Sequence, residues 1–146
     1  MKRIATVLFL LCYVCLSPAK DVSPAVSEDP LLAQGKALVA KNDWSAAAGV
    51  LEMFVKKNPQ DADGFNLLGY SYRNIRRYDE SFAAYRQALT LDPKHRGAHE
   101  YIGIAYVQSG QLDKARAHLA ILDKLCPFSC EEYRDLKKAV EQAAKP

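Results

Sequence analysis

The chain has few of the local patterns on which catalytic sites are built. Its seven glycines form no glycine-rich phosphate loop, and no nucleophile elbow is present. Histidine is scarce, and His95, His99 and His118 make no metal-ligand cluster at helical spacing. These absences exclude the recognisable phosphate-transfer, hydrolase and metalloenzyme signatures, so the chain reads as noncatalytic and without a cofactor. Charge of one sign is also lacking. With 20 Lys and Arg against 17 Asp and Glu, the balance argues against a general binder of nucleic acid or anionic membrane. No apolar run reaches the roughly 20 residues that a bilayer span needs.

The longest such run, Ile4 to Leu16, follows Lys2 and Arg3 and precedes Ser17, Pro18 and Ala19. This order reads as a secretory signal over residues 1–19 with a small-x-small cleavage site, Ala25 being a second candidate for the last signal residue. A lipid-anchored alternative fits less well, because Cys12 follows leucine and Cys15 follows valine where a small residue is wanted. Removal of the signal takes Lys2 and Arg3 with it, leaving 18 basic against 17 acidic residues and a formal charge of +1. The expected location is the periplasm or outside the cell, with no stable membrane span left after processing. Residues 20–28 are poor in apolar side chains and read as a flexible leader.

What the chain does have is a period. Pro59, Pro93 and Pro127 stand 34 residues apart, and Gly35, Gly69 and Gly103 keep the same interval. A fixed period of this length marks one supersecondary unit copied and stacked. Aligned as 28–61, 62–95 and 96–129, the units share apolar columns. Leu31, Phe65 and His99 head one column, and Leu38, Tyr72 and Tyr106 fill another seven residues on. Trp44, Tyr78 and Leu112 open a second set, followed by Ala47, Ser81 and Ala115, then Leu51, Tyr85 and Leu119. The spacings within each set predict two helices per unit, each with one apolar face. The glycine of each unit is expected to face the small residue Ala47, Ser81 or Ala115, letting two backbones approach closely. That contact offsets the roughly 1 kcal/mol that glycine costs inside a helix. The prolines end the second helices.

These columns resemble the tetratricopeptide repeat. The middle unit fits best, departing only by Ser81 where alanine is usual. The resemblance implies an all-α, right-handed superhelical stack of three helix-turn-helix units over 29–129, with residues 130–146 as a C-terminal capping helix and tail. In that last segment Ser129 and Glu132 have capping-box spacing, and Tyr133, Leu136 and Val140 continue the apolar columns. Lys137 stands where a glycine would recur, and with Lys138 it gives the terminal helix a polar outer face. His99 stands where the family favours tryptophan and is read as a core or seam residue.

The resemblance also implies a concave groove lined by the first helices. Carried over position by position, its lining includes Lys36, Asn66, Tyr70, Arg73, Asn74, Glu100, Ile104 and Gln108. An aromatic flanked by two amides and an arginine suits an extended peptide or protein segment. Apolar Leu32, Val39, Ile104 and Val107 flank that centre, and some of them are equally explained by packing on the leader or the cap helix. Arg73, Arg76 and Arg77 are either a solvated face or a surface for an acidic partner. The family's clamp for C-terminal carboxylate tails is not matched, since Leu32, Lys36, Gly97 and Tyr101 replace its polar and basic residues. The leading expectation is a protein-interaction adaptor of the cell envelope, of a small exported bacterial type. Self-assembly, with one chain's leader or cap in the next chain's groove, is a further alternative.

Cys126 and Cys130 remain after export, and an even pair in an oxidising compartment reads as a disulfide. A loop this short contributes about 2 kcal/mol on the chain-entropy model. The competing readings are free thiols, or a thiol or soft-metal handling pair. Alkylation followed by mass measurement separates them. A disulfide takes up no reagent until reduced, whereas ready modification together with Cu(I) uptake supports metal handling.

Overall fold

A computed structural model describes residues 28–145. The segments read as a secretory signal and, apart from Glu28, as a leader lie outside the described residues. Seven helices follow one another: α1 Pro30–Ala40, α2 Trp44–Lys57, α3 Ala62–Asn74, α4 Tyr78–Leu91, α5 Arg96–Gln108, α6 Leu112–Leu125 and α7 Glu131–Ala143. Among the described residues there is no strand. Helices α1 to α6 form three hairpins, and each hairpin packs on the next through α2 on α3 and α4 on α5. Helix α7 docks against both α5 and α6.

Local chemistry starts each first helix. Pro30 occupies the opening turn of α1, where its missing N–H is no loss. The Asp29 carboxylate accepts the Leu31 N–H at 2.9 Å. Asp61 accepts from Gly64 at 2.7 Å to open α3, and the His95 Nδ1 accepts from Ala98 at 3.1 Å to open α5. The turn inside each hairpin requires a left-handed residue, with φ of 59° at Asn42, 62° at Arg76 and 76° at Gly110. Asparagine and glycine accept this conformation readily. Arg76 carries a steric cost of about 1 kcal/mol there.

The hairpins close on the glycine columns. A Cβ on Gly35 would stand 2.6 Å from Leu51, and one on Gly69 would stand 2.7 Å from the Tyr85 ring. The room left by glycine is therefore taken by the large residue one helical turn beyond the small one. The small residue has its own part: the Ser81 hydroxyl, fully buried, donates to the Gly69 carbonyl at 2.8 Å. In the third unit the neighbour changes. A Cβ on Gly103 would lie 2.5 Å from Leu136 of α7, so the terminal helix, and not α6, fills that notch. Leu136 is wholly buried and Val140 nearly so. Burying one such side chain contributes about 1.5–3 kcal/mol.

The start of α7 differs from the capping-box expectation. Its cap residue is Cys130, and no side chain makes a cap hydrogen bond. Ser129 sits at φ 61°, which turns it out of the cap position, and its carbonyl accepts from Arg134 at 2.6 Å. Glu132 instead reaches Arg96 at 3.5 Å. His99, 5% exposed, lies in the seam: its Nε2 faces the Pro93 carbonyl at 3.0 Å and its Nδ1 meets the His118 Nδ1 at 2.9 Å. The His99 Nε2–H donates to the Pro93 carbonyl. Burial, with His99 nearby, holds the His118 pKa down to about 4, so the His118 ring is neutral near pH 7. The pair ties α5 to α6.

Two glycine substitutions separate packing from propensity. Gly49 on exposed α2 surface has nothing within 4 Å of an added Cβ, so Gly49→Ala is expected to stabilise the chain by about 0.5–1 kcal/mol. Gly69→Ala forces a methyl into the Tyr85 ring and should destabilise by about 1–3 kcal/mol. Urea denaturation of both variants checks the opposite signs.

Candidate functional site

Helices α1, α3 and α5 touch one another directly, so the first helices of successive hairpins share one wall. On α3 the side chains of Asn66, Tyr70 and Arg73 recur at i, i+4 and i+7, which places them in one row. Tyr70 sits at the centre of an aromatic group. Trp44 meets it edge-on at 5.4 Å between centroids, and Tyr101 lies against it at 4.9 Å. The Arg73 guanidinium stands 4.9 Å from the Tyr70 ring and 5.6 Å from the Tyr101 ring. A cation held over two aromatic faces is fixed in position without an acidic partner.

Burial makes this row unusual. Asn66 is 7% exposed and Arg73 8% exposed, yet Asn66 Oδ1 and Arg73 Nε have no hydrogen-bond partner among the described residues. A buried polar atom left unpaired costs about 1–3 kcal/mol. Both atoms are enclosed by their surroundings, so the wall bears that cost in its interior.

Two cavities open beside them. One, of about 360 Å³, is lined by Arg73, Asn74, Arg76, Tyr78 and Gln108 and is basic. The left-handed turn at Arg76 brings that side chain to its edge. The other, of about 280 Å³, is lined by Asn66, Gly97, Glu100, Tyr101, Glu131, Glu132 and Asp135 and is acidic. Glu100 is only 9% exposed. Burial, with further repulsion from Asp135, Glu132 and Glu131, pushes its carboxyl up to about 7, while Arg73 draws it back slightly.

The structure brings Asn66, Tyr70, Arg73 and Glu100 together, with Asn74 and Gln108 at the basic end. The Asn74 amide also donates to the Tyr70 carbonyl at 2.8 Å. Lys36 stands apart from this cluster: it is exposed, and its ammonium is on Glu28 at 2.5 Å. Ile104 and Val107 pack into the apolar cluster that holds Leu122, Leu136 and Val140, so the cap helix takes up their surface. Leu32 and Val39 likewise pack against the first hairpins' core. Trp44 and Tyr101 belong to the site although they were not among the expected groove residues. For Tyr101 the signal was its place one residue after Glu100 on the wall helix. The acidity contributed by α7 carried no such signal.

Cys126 and Cys130 have their sulfurs 2.01 Å apart. Their sulfurs and a Glu132 oxygen lie within 4.8 Å of one another. The Glu132 carboxylate of that trio is directed to Arg96 at 3.5 Å. Among the described residues, no helix is long and apolar enough to cross a membrane.

A sequence-family model described as tetratricopeptide repeat matches residues 32–96 and 66–129. The peroxisome biogenesis protein 5 of Arabidopsis thaliana is 30% identical over 97 residues, covering 66% of this chain but 13% of that protein. This chain therefore spans a small part of that curated relative. Among solved structures, the TPR2B domain of yeast Sti1 superposes with a TM-score of 0.72 at 19% identity, covering 78% of this chain and 93% of that one. The translocator chaperone SycD of Yersinia enterocolitica gives 0.71 at 17% identity, covering 77% and 80%. At these identities the structural likeness speaks for the fold alone.

The Glu100 carboxyl has a measurable signature. Its pKa is raised in the folded chain from an ordinary 4.5 to about 7, so the folded state holds the extra proton. Its contribution to stability is full below the ordinary value and is lost as pH rises through about 7. Glu100→Gln removes that loss. Its melting temperature should exceed that of the wild type above about 7 and converge with it below 4.5. Thermal melts across that range check this, and a gap that persists in acid contradicts it.

Proposed function

Because this chain belongs to the tetratricopeptide repeat family, we propose that it is a noncatalytic adaptor whose inner wall holds an extended segment of a partner protein. The observation that carries this reading is the row on α3, where Tyr70, with Tyr101 against it, lies between Asn66 and Arg73 on the wall that the first helices share. An extended backbone presents the complementary carbonyl and N–H groups, and Tyr70 with Tyr101 supplies the apolar surface on which it lies. Neighbours in fold lend support by analogy. The TPR2B domain of yeast Sti1 is solved as a complex with pHsp70, and SycD with a peptide of the translocator YopD.

The finer parts of the proposal rest on sequence. The signal-like residues 1–19 favour work in the cell envelope, either in the periplasm or outside the cell, as a small exported protein of bacterial type. In that compartment Cys126 and Cys130 remain oxidised and tether the start of α7 to the end of α6. The groove's occupant is a protein or peptide, and a second copy of the chain is the alternative occupant.

Capture of envelope proteins by the purified chain tests the groove. Tyr70→Ala combined with Arg73→Ala removes the central aromatic and its cation. Loss of two central contacts is expected to cut capture by about 30-fold or more, the equivalent of about 2 kcal/mol. Circular dichroism establishes that the variant keeps its helices. Unchanged capture by a folded variant removes the assignment.

A further inference from the structure

We propose that the segment held on the inner wall is proline-rich and lies there as a left-handed polyproline II helix, its prolines against the aromatic row and its carbonyls on the donors of that row. This rests on the groove reading above and adds to it the composition and conformation of the occupant. Each hairpin contributes one ring: Trp44 from the first, Tyr70 from the second and Tyr101 from the third, with neighbouring centroids 5.4 and 4.9 Å apart. All three are half-buried, so each keeps part of its surface in solvent. A polyproline II helix has three residues per turn, and residues on one of its faces recur about every 9 Å. The two centroid steps of the row together allow about one such turn.

The wall rules out one common way of holding an extended chain. It is made of helices α1, α3 and α5, whose backbone groups pair within each helix, and among the described residues no strand offers an edge to which a peptide could add. Hydrogen bonds to the main chain of the segment must therefore come from side chains. Along the row these are donors: the Trp44 indole N–H, the hydroxyls of Tyr70 and Tyr101, and the Arg73 guanidinium. Among the described residues, neither the Trp44 N–H nor the hydroxyl of Tyr70 or Tyr101 has a hydrogen-bond partner. The Tyr85 hydroxyl behind them is enclosed, but these three groups are not.

Complementarity of partial charge then favours one kind of chain. Trp44 and Arg73 donate and cannot accept, so the N–H that an ordinary extended residue presents finds no partner on them. Proline has no N–H, and the carbonyls of a polyproline II helix are left unpaired by the helix itself. A proline-rich segment thus brings acceptors to donors and flat apolar rings to aromatic faces. Its backbone is also set before binding, which spares ordering entropy. The Arg73 guanidinium, 4.9 Å from the Tyr70 ring and 5.6 Å from the Tyr101 ring, holds both rings in register for it.

Trp44 is the single tryptophan of the chain, so its emission reads the row directly. Titration of the purified protein with nonaproline should change that emission saturably. Binding should be at least about 10-fold tighter than for a glycine-serine peptide or an alanine-rich helical peptide of the same length. Tyr70→Phe and Tyr101→Phe keep the rings and remove one donor each; each is expected to weaken nonaproline by about 3- to 10-fold, the range of one lost neutral hydrogen bond. Binding no tighter than that of the control peptides overturns the proposal. So does nonaproline bound without a change in Trp44 emission, or bound equally well by both phenylalanine variants. Envelope capture separates this outcome from the fate of the groove. Capture lost in the folded Tyr70→Ala, Arg73→Ala variant, with no response to nonaproline, leaves the groove standing and removes its proline-rich occupant. Capture unchanged by that variant removes both.

Discussion

Everything in this molecule depends on how closely two helices can approach at a glycine. At Gly35 and Gly69 the missing side chain is replaced by Leu51 and Tyr85 from the partner helix, at distances where no Cβ fits. This fixes the pairing of each hairpin, and through it the direction in which the first helix presents its other face. Tyr85 is buried between α4 and the wall, and its ring lies 6.5 Å from that of Tyr101. The packing notch and the candidate site are therefore joined through one aromatic residue. A small residue at position 69 is needed for stability, yet it also determines what the wall looks like.

The wall itself is built against the usual economy of folding. Asn66, Arg73 and Glu100 are buried polar groups, and each raises the free energy of the empty fold. The apolar clusters on the other side of α3 and α5 supply the surplus that tolerates them, with Leu68, Tyr72, Ile102 and Ala105 all buried. On the proposed reading, side chains pre-set in this way would need little rearrangement on binding, which spares part of its ordering cost. The cation over two rings is the clearest case, because Tyr70 and Tyr101 orient Arg73 without neutralising it.

The hairpins were legible in the sequence because close packing tolerates few residue types, and those types recur at a strict interval. The prolines, glycines and small residues mark places where geometry leaves no choice. The row Asn66, Tyr70 and Arg73 was readable for a different reason, since one helical face follows from spacing once the helix is known. Other features were out of reach. The start of α7 turns on the left-handed backbone at Ser129, and the serine-to-glutamate spacing there pointed to a cap that does not form. Burial of Arg73 depends on rings supplied by two different hairpins. The acidic cavity joins Glu100 to residues of α7 that are distant in sequence, and the His99–His118 contact likewise needs α5 and α6 to be in place. Contacts between units leave no periodic trace, because each involves residues that occur once.

Helix α7 closes the stack with Leu136 in the notch at Gly103, and the same helix contributes Glu131, Glu132 and Asp135 to the wall. Its two faces belong to one continuous helix of 13 residues. On the proposed groove reading, a segment that touched the outer face of α7 would be coupled to the docking of its apolar face: the free energy the terminal helix lent to association would return as resistance of that helix to fraying. The order of the solenoid's end, ordinarily its loosest part, would then report whether the groove is filled.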